Sequence, residues 1–120
     1  MPPLLLILDL DETLVHAIEK SSSEVSDFQT ERYAVTKRPH LDEFLGFCFQ
    51  NYLVAVWTTG GEEYASTVCD NIFSSVERLE FLWSRSQCTP KFDHVNYKNE
   101  HLKKLNKVKN KGYPLSRVLM

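Results

Sequence analysis

The chain has little of what would carry it into a membrane or out of a reducing compartment. Its opening apolar run, Leu4 to Leu8, is too short to span a bilayer, has no basic flank and runs straight into acidic residues. Cysteine is scarce, and Cys48, Cys69 and Cys88 form neither a CxxC pair nor a metal-like spacing. An odd, scattered set suits a reducing compartment better than a disulfide framework. The histidines, His16, His40, His94 and His101, show no ligand spacing either. Repeats and low-complexity tracts are absent. A formal charge of −2 has no dominant sign and by itself decides nothing about a macromolecular partner. These absences predict a soluble cytoplasmic or nuclear protein with no membrane partner.

The 120 residues suffice for one domain, 1–120, with ordinary apolar and charged fractions that exclude wholesale disorder. Charge is uneven, because seven lysines fall between Lys91 and Lys111. A solvated helix face is the commoner reading of such a run, ahead of a nucleic-acid or other polyanion surface.

What the chain does have is a buried-looking strand ending in acid. Leu4 to Leu8 reads as a strand covered on both faces, and Asp9-Leu10-Asp11-Glu12-Thr13 follows it. Side chains two apart on a strand share one face, so Asp9 and Asp11 point the same way roughly 6.5 Å apart, with Leu10 pointing away. Carboxylates at the carboxyl end of a buried strand sit where open α/β sheets bind ligands. Such a placement is costly unless a cation or a reaction uses it.

Further along, Leu14 to Ile18 leans apolar, Glu19 to Asp27 reads as a surface loop, and Glu31 to Thr36 as a short strand. Arg38-Pro39 opens an amphipathic helix whose apolar set is Leu41, Phe44, Leu45 and Cys48. A second buried strand, Tyr52 to Trp57, stops at Thr58-Thr59-Gly60-Gly61, and a second helix carries Tyr64, Ala65, Val68, Cys69 and Ile72 on one face. Leu79 to Trp83 reads as a third strand, Ser84 to Tyr97 as a polar excursion, and His101 to Lys109 as a basic helix stopped by Gly112. Arg117 to Met120 begins another strand. Phe44, Phe47, Trp57 and Trp83 are assigned to the core. Strand alternating with helix predicts an α/β fold with a doubly wound parallel sheet.

The residues suggest phosphoryl chemistry. Asp9 can act as nucleophile, forming an aspartyl-phosphate that divides one hard hydrolysis into two easier steps. Asp11 can protonate the leaving oxygen and then activate water. Thr58, with Thr59 and the N–H groups around Gly60-Gly61, would supply donors to phosphate, a lysine positive charge, and Mg²⁺ a bridge between carboxylate and phosphate. Calcium binding fails, because an EF-hand loop begun at Asp9 would need Gly and Glu where Leu14 and Lys20 stand. A receiver domain displays its acceptor aspartate on a later strand, and the second strand here ends in threonines. Bland readings stay open: Thr58 as a strand terminus, Lys103 as a solvated helix lysine, Arg38 as a cap.

Asp9-Leu10-Asp11-Glu12-Thr13-Leu14-Val15-His16 resembles the signature of haloacid-dehalogenase-superfamily (HAD) phosphatases. More narrowly, it is similar to the FCP/SCP-type or Dullard-like branch (NLI-interacting-factor-like), which dephosphorylates the RNA polymerase II C-terminal domain and related phosphoproteins. Arg38-Pro39-His40-Leu41-Asp42-Glu43-Phe44-Leu45, Val56-Trp57-Thr58-Thr59-Gly60 with Tyr64-Ala65, and Trp83-Ser84-Arg85 with Cys88 resemble its later landmarks. The resemblance implies Asp9 as nucleophile and Mg²⁺ ligand, and Asp11 as acid/base that also gives its carbonyl to the metal. It further implies Thr58 and Thr59 at the phosphate, and Thr13 and Arg38 as candidates for substrate contact. The family's phosphate-binding lysine matches Lys103, with Lys98 as second choice.

The resemblance also implies a HAD-like Rossmannoid fold and metal-binding aspartates directly after the strand that begins at Arg117. The sequence stops at Met120, so a chain truncated at the start of its fourth core strand, weakly active or inactive, is expected. About 25 residues separate Thr13 from Arg38 and about 30 separate the second helix from Lys103, too few for a cap domain of ordinary size. An uncapped site suits a phosphoserine or phosphothreonine side chain on a protein or peptide. Two alternatives stand beside this reading: a non-catalytic phospho-binding fragment and a small-molecule phosphatase of the same superfamily.

Overall fold

A computed structural model describes residues 3–20 and 25–120. Residues 21–24, part of the Glu19 to Asp27 stretch expected as a loop, lie outside the described residues. The core is a four-stranded parallel sheet built from β1 (Leu5–Leu8), β5 (Leu53–Trp57), β6 (Leu82–Trp83) and β9 (Val118–Leu119), in the order β6-β5-β1-β9. Strand β1 pairs with β5 through Leu5↔Leu53 to Leu8↔Val56, and with β9 through Leu5↔Val118 and Leu6↔Leu119.

The continuous apolar character of β1 and β5 follows from burial on both faces. Helices α1 (Leu41–Asn51) and α2 (Glu62–Ile72) lie in one cluster with Leu8, Val54 and Val56. Leu5, Ile7, Ala55 and Trp57 face the other way, against Phe81, Cys88 and Val108 of α3 (Asn106–Lys111). Successive strand residues therefore alternate between two cores, which is the doubly wound arrangement. From β1 the chain runs through α1 to β5 on one side, and returns through α3 to β9 on the other. The strand order thus reverses at β1, whose carboxyl end is where such sheets bind ligands.

Two small sheets fill the insertions. Between β1 and α1, β2 (Val15–Glu19), β3 (Phe28–Gln29) and β4 (Tyr33–Lys37) form an antiparallel sheet ordered β2-β4-β3. After β6, β7 (Thr89–Asp93) and β8 (Lys98–Leu102) form an antiparallel hairpin. No helix among the described residues is long and apolar enough to cross a membrane.

Several sequence expectations need correction. The excursion from Ser84 to Tyr97 contains a 3₁₀ turn, Arg85–Gln87, and strand β7. His101 belongs to strand β8, and the basic helix is confined to Asn106–Lys111, where Gly112 ends it with φ 116. The lysine run therefore spans hairpin, loop and short helix, and does not form one solvated helical face. Strand β6 is shorter than Leu79 to Trp83, although Glu80 N–H still donates to Val54 O at 2.8 Å and keeps that segment beside β5. Phe44 and Phe47 are 45% and 55% exposed, not core. On α1 the buried stripe is Leu41, Leu45 and Cys48; Phe44 lies roughly 60° to one side of Leu41 and Phe47 roughly 60° further round.

Candidate active site

The site is built on the loop that leaves β1. Leu10 is fully buried, and its carbonyl accepts the N–H groups of Thr13 (3.2 Å), Leu14 (2.8 Å) and Val15 (3.1 Å). This turn takes Glu12 into left-handed backbone, φ 61, a conformation unfavourable for a residue with a Cβ. Glu12 N–H donates to Val15 O at 2.8 Å, and its carboxylate meets His16 Nδ1 at 2.6 Å. Arg38 closes the loop from outside, donating from Nη1 to Thr13 O at 2.9 Å and from its backbone to Leu14 O at 3.0 Å. One anchored leucine thus carries the two aspartates that flank it.

Strand β1 ends at Leu8, so strand alternation is not what orients Asp11. The two carboxylates have different partners. Asp9 Oδ1 accepts Leu10 N–H at 2.8 Å and lies 3.3 Å from Lys103 Nζ. Neither contact engages Asp9 Oδ2, and the side chain is about half exposed. Asp11 Oδ1 accepts the hydroxyl of Tyr64 at 2.5 Å. Burial first, and then that carboxylate, push the Tyr64 hydroxyl far above the ordinary tyrosine range, so it remains a donor.

Lys103 follows β8 directly, and the hairpin's return brings it to Asp9 with its side chain only 16% exposed. Lys98, at the start of β8, pairs in register with Asp93 and is exposed. Thr58 is fully buried at the end of β5, fixed by its N–H to Trp83 O at 2.9 Å. Its Oγ1 accepts Gly60 N–H at 3.0 Å, which leaves the hydroxyl proton for donation. Gly60 N–H is thereby already occupied, contrary to its expected part as a phosphate donor. A Cβ on Gly60 would stand 3.1 Å from the Tyr64 ring, so only glycine passes between Thr58 and Tyr64 without displacing them. Thr59 is exposed on the rim, and its carbonyl accepts Arg85 Nε at 2.9 Å.

The structure thus groups Lys103 with Asp9, and places Thr13 and Arg38 together on the loop's outer side. A cleft of about 490 Å³ opens beside Asp11, bounded by Tyr33, Thr59, Gly60, Gly61, Tyr64 and Arg85. Sequence reasoning missed two contributors here. Tyr64 was assigned to the apolar face of α2, yet a half-buried tyrosine hydroxyl needs a partner, and that need was the available signal. Arg85 stands within the Trp83-Ser84-Arg85 landmark, but nothing in its spacing marks the contact with Thr59.

The model of the NLI interacting factor-like phosphatase family matches residues 4–120. A CTD phosphatase-like protein of Invertebrate iridescent virus 3 is 36% identical over 83 residues, covering 59% of this chain and 45% of its own. The CTD nuclear envelope phosphatase 1 homolog of Drosophila melanogaster is 32% identical over 102 residues, covering 72% of this chain and 42% of its own. The chain therefore spans less than half the length of these curated relatives. In fold it is similar to the fission yeast RNA polymerase II CTD phosphatase Fcp1 bound to beryllium fluoride, with TM-score 0.58, 22% identity, and coverage of 72% of this chain and 30% of that one. With nearly its whole length matched by the family model, the chain belongs to the NLI interacting factor-like phosphatases.

Proposed function

We propose that the protein is a Mg²⁺-dependent phosphatase that hydrolyses phosphoserine or phosphothreonine on protein substrates through an aspartyl-phosphate at Asp9. The observation that carries this reading is the 3.3 Å approach of Lys103 Nζ to Asp9 Oδ1 at the carboxyl end of β1. A half-exposed carboxylate beside a largely buried ammonium suits a site that receives a dianion.

In the first step an Asp9 carboxylate oxygen attacks phosphorus, and the bond from phosphorus to the serine or threonine oxygen breaks. Asp11 gives that leaving oxygen its proton. In the second step Asp11, now ionised, takes a proton from water, whose oxygen attacks phosphorus. The bond from phosphorus to Asp9 breaks, inorganic phosphate leaves, and Asp11 is again protonated. Lys103 and the Thr58 hydroxyl hold the non-bridging oxygens, and Tyr64 fixes the carboxylate of Asp11.

No group of three or more His, Cys, Asp or Glu side chains among the described residues is arranged to hold a metal. That donor set still fits Mg²⁺, which binds through one or two carboxylates plus phosphate and retains several waters. Asp9, through the oxygen its present bonds leave over, and the Asp11 backbone carbonyl would hold it. Bound there, Mg²⁺ supplies positive charge to the phosphoryl oxygens.

A protein substrate is favoured by the open cleft, by insertions that form only small sheets, and by relatives named as CTD phosphatases. Nuclear association is favoured by relatives named for the nuclear envelope. The test is phosphate release from a phosphoserine peptide, with Mg²⁺ and with a chelator. Release that stops with the chelator, and that exceeds release from a sugar phosphate, is expected. Faster turnover of the sugar phosphate would make this a small-molecule phosphatase. Peptide binding without hydrolysis, unchanged in Asp9→Asn, would make it a binding module.

A further inference from the structure

We infer that Lys107 is a positioning residue that locks the two halves of the phosphate-binding set at a fixed spacing. The inference rests on the reading of Thr58 and Lys103 given above. The two residues come from segments that are distant in sequence and share no strand pairing.

Thr58 belongs to a loop tied to the 3₁₀ turn Arg85–Gln87 at several points. Arg85 N–H donates to Gly60 O at 2.8 Å, Arg85 Nε to Thr59 O at 2.9 Å, and Cys88 Sγ lies 3.8 Å from Thr58 O. The turn itself is stiff, because Gln87 Oε1 accepts Ser84 N–H at 2.7 Å in a reciprocal capping box. Lys103 belongs to the other segment, where Lys107 N–H donates to Lys104 O at 3.0 Å and closes a tight turn one residue after Lys103.

Lys107 joins the two. Its half-buried ammonium donates to Gln87 O at 2.9 Å. Val108, fully buried next to it, already fixes α3 against the sheet through apolar contact. Apolar contact sets distance but tolerates sliding, whereas a charge-assisted hydrogen bond to one carbonyl fixes register. A lysine whose only task was solubility would leave its ammonium in water. Here it is turned inward, onto the one turn that also holds the Thr58 loop.

The experiment compares Lys107→Met, which keeps the apolar stem, with Lys107→Arg, which keeps a donor, and Lys109→Met, an exposed control on the same helix. The first readout needs no activity: the rate at which an amine-acylating reagent labels Lys103, followed by mass spectrometry with thermal unfolding in parallel. Lys107→Met is expected to label Lys103 several-fold faster at a little-changed melting temperature, while Lys107→Arg and Lys109→Met stay near wild type. The second readout is inhibition by inorganic phosphate, expected to weaken roughly tenfold in Lys107→Met and to be restored in Lys107→Arg. Unchanged Lys103 labelling in Lys107→Met would overturn the inference, as would equal loss of protection in Lys107→Arg. Should Lys107→Met fail to fold, Lys107→Gln is labelled in its place, with the same several-fold faster labelling of Lys103 expected and an unchanged rate overturning the inference. If inorganic phosphate bound no variant, wild type included, the phosphatase reading would fail while the labelling still judged Lys107.

Discussion

Tyr64 is the residue on which the acid/base part of the account depends most. Its hydroxyl donates to Asp11 at 2.5 Å, and its pKa is raised by burial and by that carboxylate. The shift has a definite sign. A tyrosine whose folded pKa lies above its unfolded value contributes stability in full below that unfolded value, near 10.0, and loses it only at more alkaline pH. The donor is therefore intact throughout any neutral assay. Tyr64→Phe keeps the ring packed edge-on to Tyr33 at 5.5 Å and removes only the hydrogen bond. A hydrogen bond to a charged group contributes about 1.5–3 kcal/mol, so turnover is expected to fall roughly tenfold to a hundredfold, with a loss of folding stability of the same order at neutral pH. Wild-type turnover in Tyr64→Phe would show that Asp11 needs no such support.

At the scale of elements, helix α1 shows how a stripe narrower than its apolar composition suggests is set by the sheet beneath it. Leu45 is buried against β5, whereas Phe47 turns outward and meets Tyr52 edge-on at 6.4 Å. Leu45→Ala is expected to destabilise by about 2–5 kcal/mol, and Phe47→Ala by less than about 1 kcal/mol, in urea unfolding. Equal losses would mean that α1 packs on a different face. The same elements show what the sequence made readable. The runs of β1 and β5 are apolar at every position because both faces are covered, and a run of that kind has few other readings. The hairpin of β7 and β8 escaped notice because Pro90, Lys91, Phe92, Lys98 and Asn99 are all exposed and carry no alternation. Its local signal was turn chemistry: Asp93 Oδ1 accepts the N–H of Val95 at 2.9 Å and of Asn96 at 3.3 Å.

For the whole molecule, the sheet order β6-β5-β1-β9 gathers residues that the sequence scatters. It brings Asp9 to the switch point, and the loop after β5 brings Thr58 to the same end of the sheet. Asp9 and Asp11 stood out because acid follows directly on a run that the sheet covers on both faces, although Asp9 itself is half exposed and escapes the cost of burial. The partnership of Lys103 with Asp9 was not legible from spacing, since it depends on where an unrecognised hairpin returns. Tyr64 and Lys107 were hidden for a related reason: one resembles core and the other resembles solvated charge until their partners are seen. Every step of the proposed chemistry passes through one atom pair, an oxygen of Asp9 and the phosphorus of the substrate. The most direct measurement is to quench the protein in acid during turnover of a phosphoserine peptide with Mg²⁺, digest it, and locate phosphoryl groups by mass spectrometry. A phosphoryl group on the Asp9 peptide, absent from Asp9→Asn along with hydrolysis, is the expected result; hydrolysis that persists in Asp9→Asn would contradict it.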